Sequence, residues 1–84
     1  MGEGPETSEE IEDARGLLCP LPVIHLGRRI AEAAPGAVIV LLADDPMTEE
    51  DVRLWAAGAG HEVLSAVENG GTVRIAVRRA DDGK

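Results

Sequence analysis

An 84-residue chain with a formal net charge of −8 has room for one domain with a modest core, because small chains bury a smaller fraction of their surface. The acidity sits at the ends: residues 1–12 hold five glutamates and no base, residues 81–84 hold Asp81, Asp82 and Lys84, and the stretch between carries nine acids against seven arginines. With Trp55 as the single aromatic residue, this balance argues against direct nucleic-acid binding, which wants a basic surface with stacking platforms, and no apolar run reaches the ~20 residues that cross a bilayer.

Residues 1–10 mix Gly, Pro, Ser, Thr and Glu without apolar periodicity, the composition of an acidic disordered tail that cannot offset its own ordering entropy. A short strand is expected over Ile11–Ala14, then a turn at Gly16. The first helix is expected from the Cys19-Pro20-Leu21-Pro22 segment, with Val23, Leu26, Gly27, Ile30 and Ala34 on one face and Arg28, Arg29 and Glu32 opposite. Gly27 costs that helix ~1 kcal/mol of propensity against Ala, and its missing side chain suits a close approach of helix to sheet. Pro35-Gly36 ends the helix, and the β-branched run Ala37–Ala43 reads as a central strand. Asp44-Asp45-Pro46 reads as a helix entry, with Asp45 as N-cap, Pro46 at the first helical position and Glu49, Glu50 and Asp51 suiting the dipole. Thr48, Val52, Trp55, Ala56 and Ala59 share the inner face of this second helix. His61–Glu68 and Thr72–Arg79 form a hairpin about Asn69-Gly70-Gly71, and residues 80–84 are a flexible tail. The order β-α-β-α-β-β, with a right-handed first crossover, gives a two-layer α/β sandwich with both helices on one face.

The chemistry centres on Cys19, the only cysteine. A thiol at a helix start has partial positive charge beside it, which favours the thiolate. One cysteine closes no intramolecular disulfide, and the N-terminus lacks the basic start and apolar stretch of a signal peptide, so a reducing, cytoplasmic setting is expected. With Cys19 as N-cap, Pro20 and Pro22 would stand at the first and third helical positions. They would stiffen the loop and leave the Leu21 amide, together with the Val23 amide, as donors near the sulfur. The bland reading of the two prolines is simple helix initiation. Arg15 has two readings side by side, a cation that lowers the thiol pKa or holds an anionic donor, and a turn residue paired with a nearby acid. Asp45 reads as a cap before it reads as a general acid, and His25 and His61 stay outside the catalytic set. One Cys and two separated His make no zinc pattern, and no Gly-rich phosphate cradle is present. No metal and no cofactor are expected.

Asp13-Ala14-Arg15-Gly16-Leu17-Leu18-Cys19-Pro20-Leu21-Pro22, then Pro35-Gly36, Ala43-Asp44-Asp45-Pro46 and Gly60-His61-Glu62 follow one another in order. This set resembles the TusA/SirA-like sulfur-carrier family over residues 11–79. The resemblance implies a mixed four-stranded sheet under two helices, an α/β (α+β) fold. It also implies a persulfide carried on Cys19, with Arg15, Gly16, Pro20, Pro22 and Asp45 as motif or supporting residues. A solitary cysteine suits that task, since a second one beside it would resolve the persulfide into a disulfide. The expected function is a sulfur-relay carrier, a sulfurtransferase-type protein that works with others. It takes sulfane sulfur from a cysteine desulfurase or rhodanese-like donor and passes it to an acceptor protein, acting as a monomer. The alternative is a noncatalytic interaction or redox-regulatory module on the same fold. Leu21 departs from the acidic residue often found between the prolines in the tRNA-thiolation branch, which leaves tRNA thiolation, a molybdenum cofactor, sulfur oxidation and selenium handling all open as destinations.

Overall fold

The computed structural model describes residues 9–18 and 20–80. The expected tails therefore lie almost wholly outside the described residues, as does Cys19 itself. Six elements follow the expected order: β1 Glu9–Asp13, α1 Leu21–Glu32, β2 Val38–Ala43, α2 Thr48–Ala59, β3 Glu62–Asn69 and β4 Thr72–Arg78. The sheet runs β1-β2-β4-β3, with β1 and β2 parallel and the other two pairings antiparallel. Parallel pairing forces the chain back across the sheet, and α1 is that crossover. The sheet is thus mixed and four-stranded, as expected. Both helices pack on the same face, because Leu26 and Ile30 of α1 and Val52 of α2 form one buried cluster with Ile39, Leu41, Ile75 and Val77.

Period-two alternation assigns the two faces of the sheet. Ile39, Leu41 and Ala43 of β2 and Ile75 and Val77 of β4 turn toward the helices and are buried. The register sets Ile11, Val40 and Ala76 side by side on the outer face. Val40 is 2% exposed there between its neighbours, while Ile11 on the edge is 52% exposed. The same register turns Glu10 and Glu12 of β1 inward beside Ile39 and Leu41. They stop at the sheet margin and hold Arg29 of α1, Glu12 at 2.9 Å and Glu10 in a short contact. At the other margin a bulge between Val63 and Ser65 interrupts β3, so that Leu64 and Ser65 are both exposed while Val63 and Ala66 pack on the core. The β3–β4 connection is the two residues Gly70-Gly71, both at positive φ, the backbone twist that joins right-twisted strands tightly.

Several boundaries and roles differ from the sequence reading. β1 starts at Glu9, inside the segment expected as tail, because Glu9 and Glu10 pair with Val38 and Ile39. The first helix stops at Glu32, so Ala34 lies beyond it. The second helix begins at Thr48 with Met47 as N-cap, two residues after the expected start. Asp45 instead makes a local turn, its carboxylate accepting the Met47 N–H at 2.9 Å and its carbonyl the Thr48 N–H at 3.0 Å. Gly27 lies against the Trp55 ring, where a β-carbon would stand 3.7 Å from the indole. The close approach it permits is therefore helix to helix, not helix to sheet.

Candidate functional site

Two loops leave the C-terminal ends of the parallel strands and lie together. The first joins β1 to α1 and the second joins β2 to α2. Ala14, fully buried, extends the β1–β2 ladder by donating to the Leu42 carbonyl at 2.8 Å. The chain then turns: the Leu17 N–H returns to the Ala14 carbonyl at 3.2 Å, with Arg15 and Gly16 at the corner. Gly16 has φ +87°, a conformation that a β-carbon disfavours.

Two carboxylates pin this corner. Asp13 accepts the Arg15 backbone N–H at 3.1 Å and the guanidinium at 2.9 and 2.8 Å. Those side-chain hydrogen bonds first, and the backbone bond second, hold the Asp13 carboxyl down to about 2 from its ordinary 3.8. Arg15 is correspondingly held more firmly in its charged form by Asp13, with a smaller contribution from Asp44. From the second loop, Asp44 accepts the Gly16 N–H on both carboxylate oxygens, at 3.0 and 3.2 Å. The adjacent aspartates thus divide their work: Asp44 reaches back to the first loop while Asp45 shapes the entry to α2.

Beyond the corner Leu18 is 73% exposed and its carbonyl accepts the Leu21 N–H at 2.8 Å. The N-cap of α1 is Pro20 rather than Cys19. Its carbonyl takes the Val23 and Ile24 amides at 3.1 Å. The Leu21 and Val23 amides, expected as donors to the sulfur, are therefore turned to the Leu18 and Pro20 carbonyls. A proline has no N–H and cannot itself compete for those acceptors. Pro22 is buried in the first turn, whereas Leu21, like Leu18 and Ile24, is exposed. The first turn of α1 contains no acid, while that of α2 contains Glu49, Glu50 and Asp51. The partial positive charge at the α1 N-terminus is thus left uncompensated by its own first turn.

The expected residues Arg15 and Gly16 come together with Asp13 and Asp44, which the sequence reading did not select. Asp13 was findable as an acid two residues from Arg15, but the Asp44 tie spans 28 residues and has no local signature. Asp45 lies in the neighbouring loop and Pro20 and Pro22 bracket the helix start. His25 leans away toward β1, its Nδ1 3.3 Å from a Glu12 oxygen. His61 sits at the other end of the sheet, where it accepts the Ala80 N–H at 2.9 Å and packs its ring 5.1 Å from that of Trp55. A cleft of about 260 Å³ beside the second loop is lined by Asp44, Asp45, Glu49 and Glu68 with Pro46 and Val73. Among the described residues, no three His, Asp or Glu side chains are grouped to hold a metal ion.

The family described as sulfurtransferase TusA matches residues 10–79. The chain belongs to the TusA family. A sulfur carrier protein TusA of Pseudomonas paraeruginosa (strain DSM 24068 / PA7) is 35% identical over 74 residues, covering 88% of this chain and 94% of that one. The protein of the same description in Pseudomonas entomophila (strain L48) is 39% identical over 70 residues, covering 83% and 88%. The crystal structure of a SirA-like protein from Desulfitobacterium hafniense superposes with a TM-score of 0.74 at 25% identity, covering 83% of this chain and 96% of that one. No described helix is long and apolar enough to cross a membrane.

Proposed function

We propose that this TusA-family chain is a sulfur-relay carrier whose cargo rides on Cys19 as a persulfide. The match to sulfur carrier proteins over most of both chains carries the reading. In the first step the Cys19 thiolate attacks the terminal sulfur of a donor persulfide. A new S–S bond forms on Cys19 as the donor's S–S bond breaks, and the electron pair leaves on the donor cysteine as its thiolate. The terminal hydrogen stays with the transferred sulfur. In the second step an acceptor thiolate attacks that same sulfur and Cys19 leaves as a thiolate. Neither step needs an external oxidant or reductant.

Each transfer needs Cys19 ionised and within reach of another protein. The α1 N-terminus, free of acids in its first turn, favours the anion. The exposed Leu18 and Leu21 on either side offer an apolar surface against which a partner docks. Pro20 and Pro22 restrict the backbone around the cysteine, Gly16 permits the positive-φ corner before it, and Arg15, held by Asp13, supports the turn. Asp45 orders the second loop. The donor is a cysteine desulfurase or rhodanese-like protein and the acceptor a protein, with the chain acting as a monomer in the cytoplasm and handing sulfur to no nucleic acid directly.

The test is intact mass after incubation with a desulfurase and cysteine, or with a rhodanese and thiosulfate. The expected product is heavier by ~32 Da per sulfur, removable by a thiol reductant and absent from Cys19→Ala. No adduct with either donor would overturn the carrier reading.

A further inference from the structure

The tie between the two loops suggests a residue that governs how the thiol is offered. Asp44 belongs to the β2–α2 loop, yet both its oxygens take the N–H of Gly16, three residues before Cys19 in the other loop. The corner it grips is one that glycine alone enters easily, at φ +87°, and it is held from the other side by Asp13 through Arg15. After Gly16 the next fixed points are the hydrogen bond from the Leu21 N–H to the Leu18 carbonyl and buried Pro22. The segment between β1 and α1 is therefore anchored by its strand, by its helix and, midway, by a carboxylate from a loop 28 residues away.

We infer that Asp44 is a positioning residue for sulfur transfer: by clasping the Gly16 amide it holds the Cys19 loop in the attitude that a partner protein's active site meets. This rests on the carrier reading and adds to it a specific hydrogen bond. Asp44 acts through the backbone and takes no part in the exchange of sulfur. A carboxylate is suited to the role because a charged acceptor strengthens an exposed N–H bond.

The experiment compares wild type, Asp44→Ala and Asp44→Asn. Three rates are measured: sulfur transfer from a persulfidated desulfurase by intact mass, alkylation of Cys19 by iodoacetamide, and hydrogen exchange of the Gly16 amide. Asp44→Ala is expected to slow transfer from the protein donor about tenfold and to speed Gly16 exchange by about the same factor, from loss of one charge-assisted hydrogen bond. Alkylation by the small reagent should stay within about threefold of wild type, because it needs an exposed thiol but no docked geometry. Asp44→Asn retains an oxygen acceptor and should restore both transfer and exchange to within about threefold.

Transfer by Asp44→Ala at the wild-type rate would overturn the inference. So would Asp44→Asn as slow as Asp44→Ala, which would make charge rather than the clasp responsible, or transfer and alkylation falling together, which is what a general loss of structure gives. Wild type that takes no sulfur would overturn the carrier reading instead, and the clasp then stands or falls on Gly16 exchange alone, with equal rates in wild type and Asp44→Ala overturning it.

Discussion

Replacing Gly16 with alanine separates backbone strain from crowding. The residue sits at φ +87° with nothing within 4 Å of where a β-carbon would stand, so the added methyl meets no neighbour and the whole penalty is conformational. Holding an L-residue in the left-handed region costs about 1–2 kcal/mol. The chain can escape by rotating the Arg15–Gly16 peptide, but that swings the Gly16 N–H away from Asp44 and gives up a hydrogen bond worth about 0.5–1.5 kcal/mol. The cheaper route sets the loss, which is therefore about 0.5–1.5 kcal/mol. In a domain of this length each kcal/mol lowers the melting temperature by about 4–8 °C. Urea unfolding followed by the Trp55 fluorescence should show a lower midpoint with an unchanged slope, since the folded area is the same. A double-mutant cycle with Asp44→Ala tells the routes apart. If the peptide rotates, removing Asp44 from Gly16→Ala costs almost nothing further; if the strain is retained, the two losses add. A midpoint equal to that of wild type would refute the reasoning, and so would a loss above about 4 kcal/mol, which strain at one open position cannot supply.

Three further outcomes follow from the structure. The Asp13 carboxyl should titrate near 2 rather than 3.8 in carbon-detected NMR, and Arg15→Ala should return it to the ordinary range. Because the folded value is depressed, the pair's contribution to stability is fully present above pH 3.8 and disappears as the pH falls toward 2, and its loss at higher pH would contradict the assignment. Gly27→Ala should raise stability by about 0.5–1 kcal/mol, because the helix gains propensity while the new methyl meets the Trp55 ring at an ordinary 3.7 Å; destabilisation in thermal melts would show that α1 and α2 cannot yield there. Leu41→Ala, at a position with no exposure, should cost about 2–5 kcal/mol in urea unfolding.

The order of elements was readable because each has its own local signal. The β-branched run of β2, the alternation of Val73, Ile75 and Val77, and the Gly70-Gly71 turn depend on neighbours in sequence alone. What escaped the reading depends on residues far apart. Gly27 was legible as a place of close approach, but its partner Trp55 belongs to another helix. Asp44 and Asp45 look alike in sequence, and only the packing of β1 beside β2 gives the first of them an amide to hold. The entry to α2 was placed early because Asp-Pro serves a turn as well as a helix start, and the structure spends Pro46 and Met47 on the turn. At α1 the sequence offered Cys19 as the cap, but the turn closed by the Leu18 carbonyl advances the helix start to Leu21. The resemblance supplied the expectation for Cys19, and the structure supplied the Asp13–Arg15 pair and the Asp44–Gly16 hydrogen bond in the loop that precedes it.

The margins of the sheet bear on how such a molecule survives at high concentration. The order β1-β2-β4-β3 leaves two strands with an unpaired side, and rows of unpaired backbone groups invite another chain to add a strand and grow a polymer. The bulge at Leu64 breaks the regular spacing that an incoming strand would need along β3. Along β1, Glu10 and Glu12 face the helix layer and are held by Arg29, so a strand docking there would have to bring its own inward residues against charge instead of oil. The same short strands that hold the thiol loop at one end of the sheet thus discourage runaway stacking along its sides.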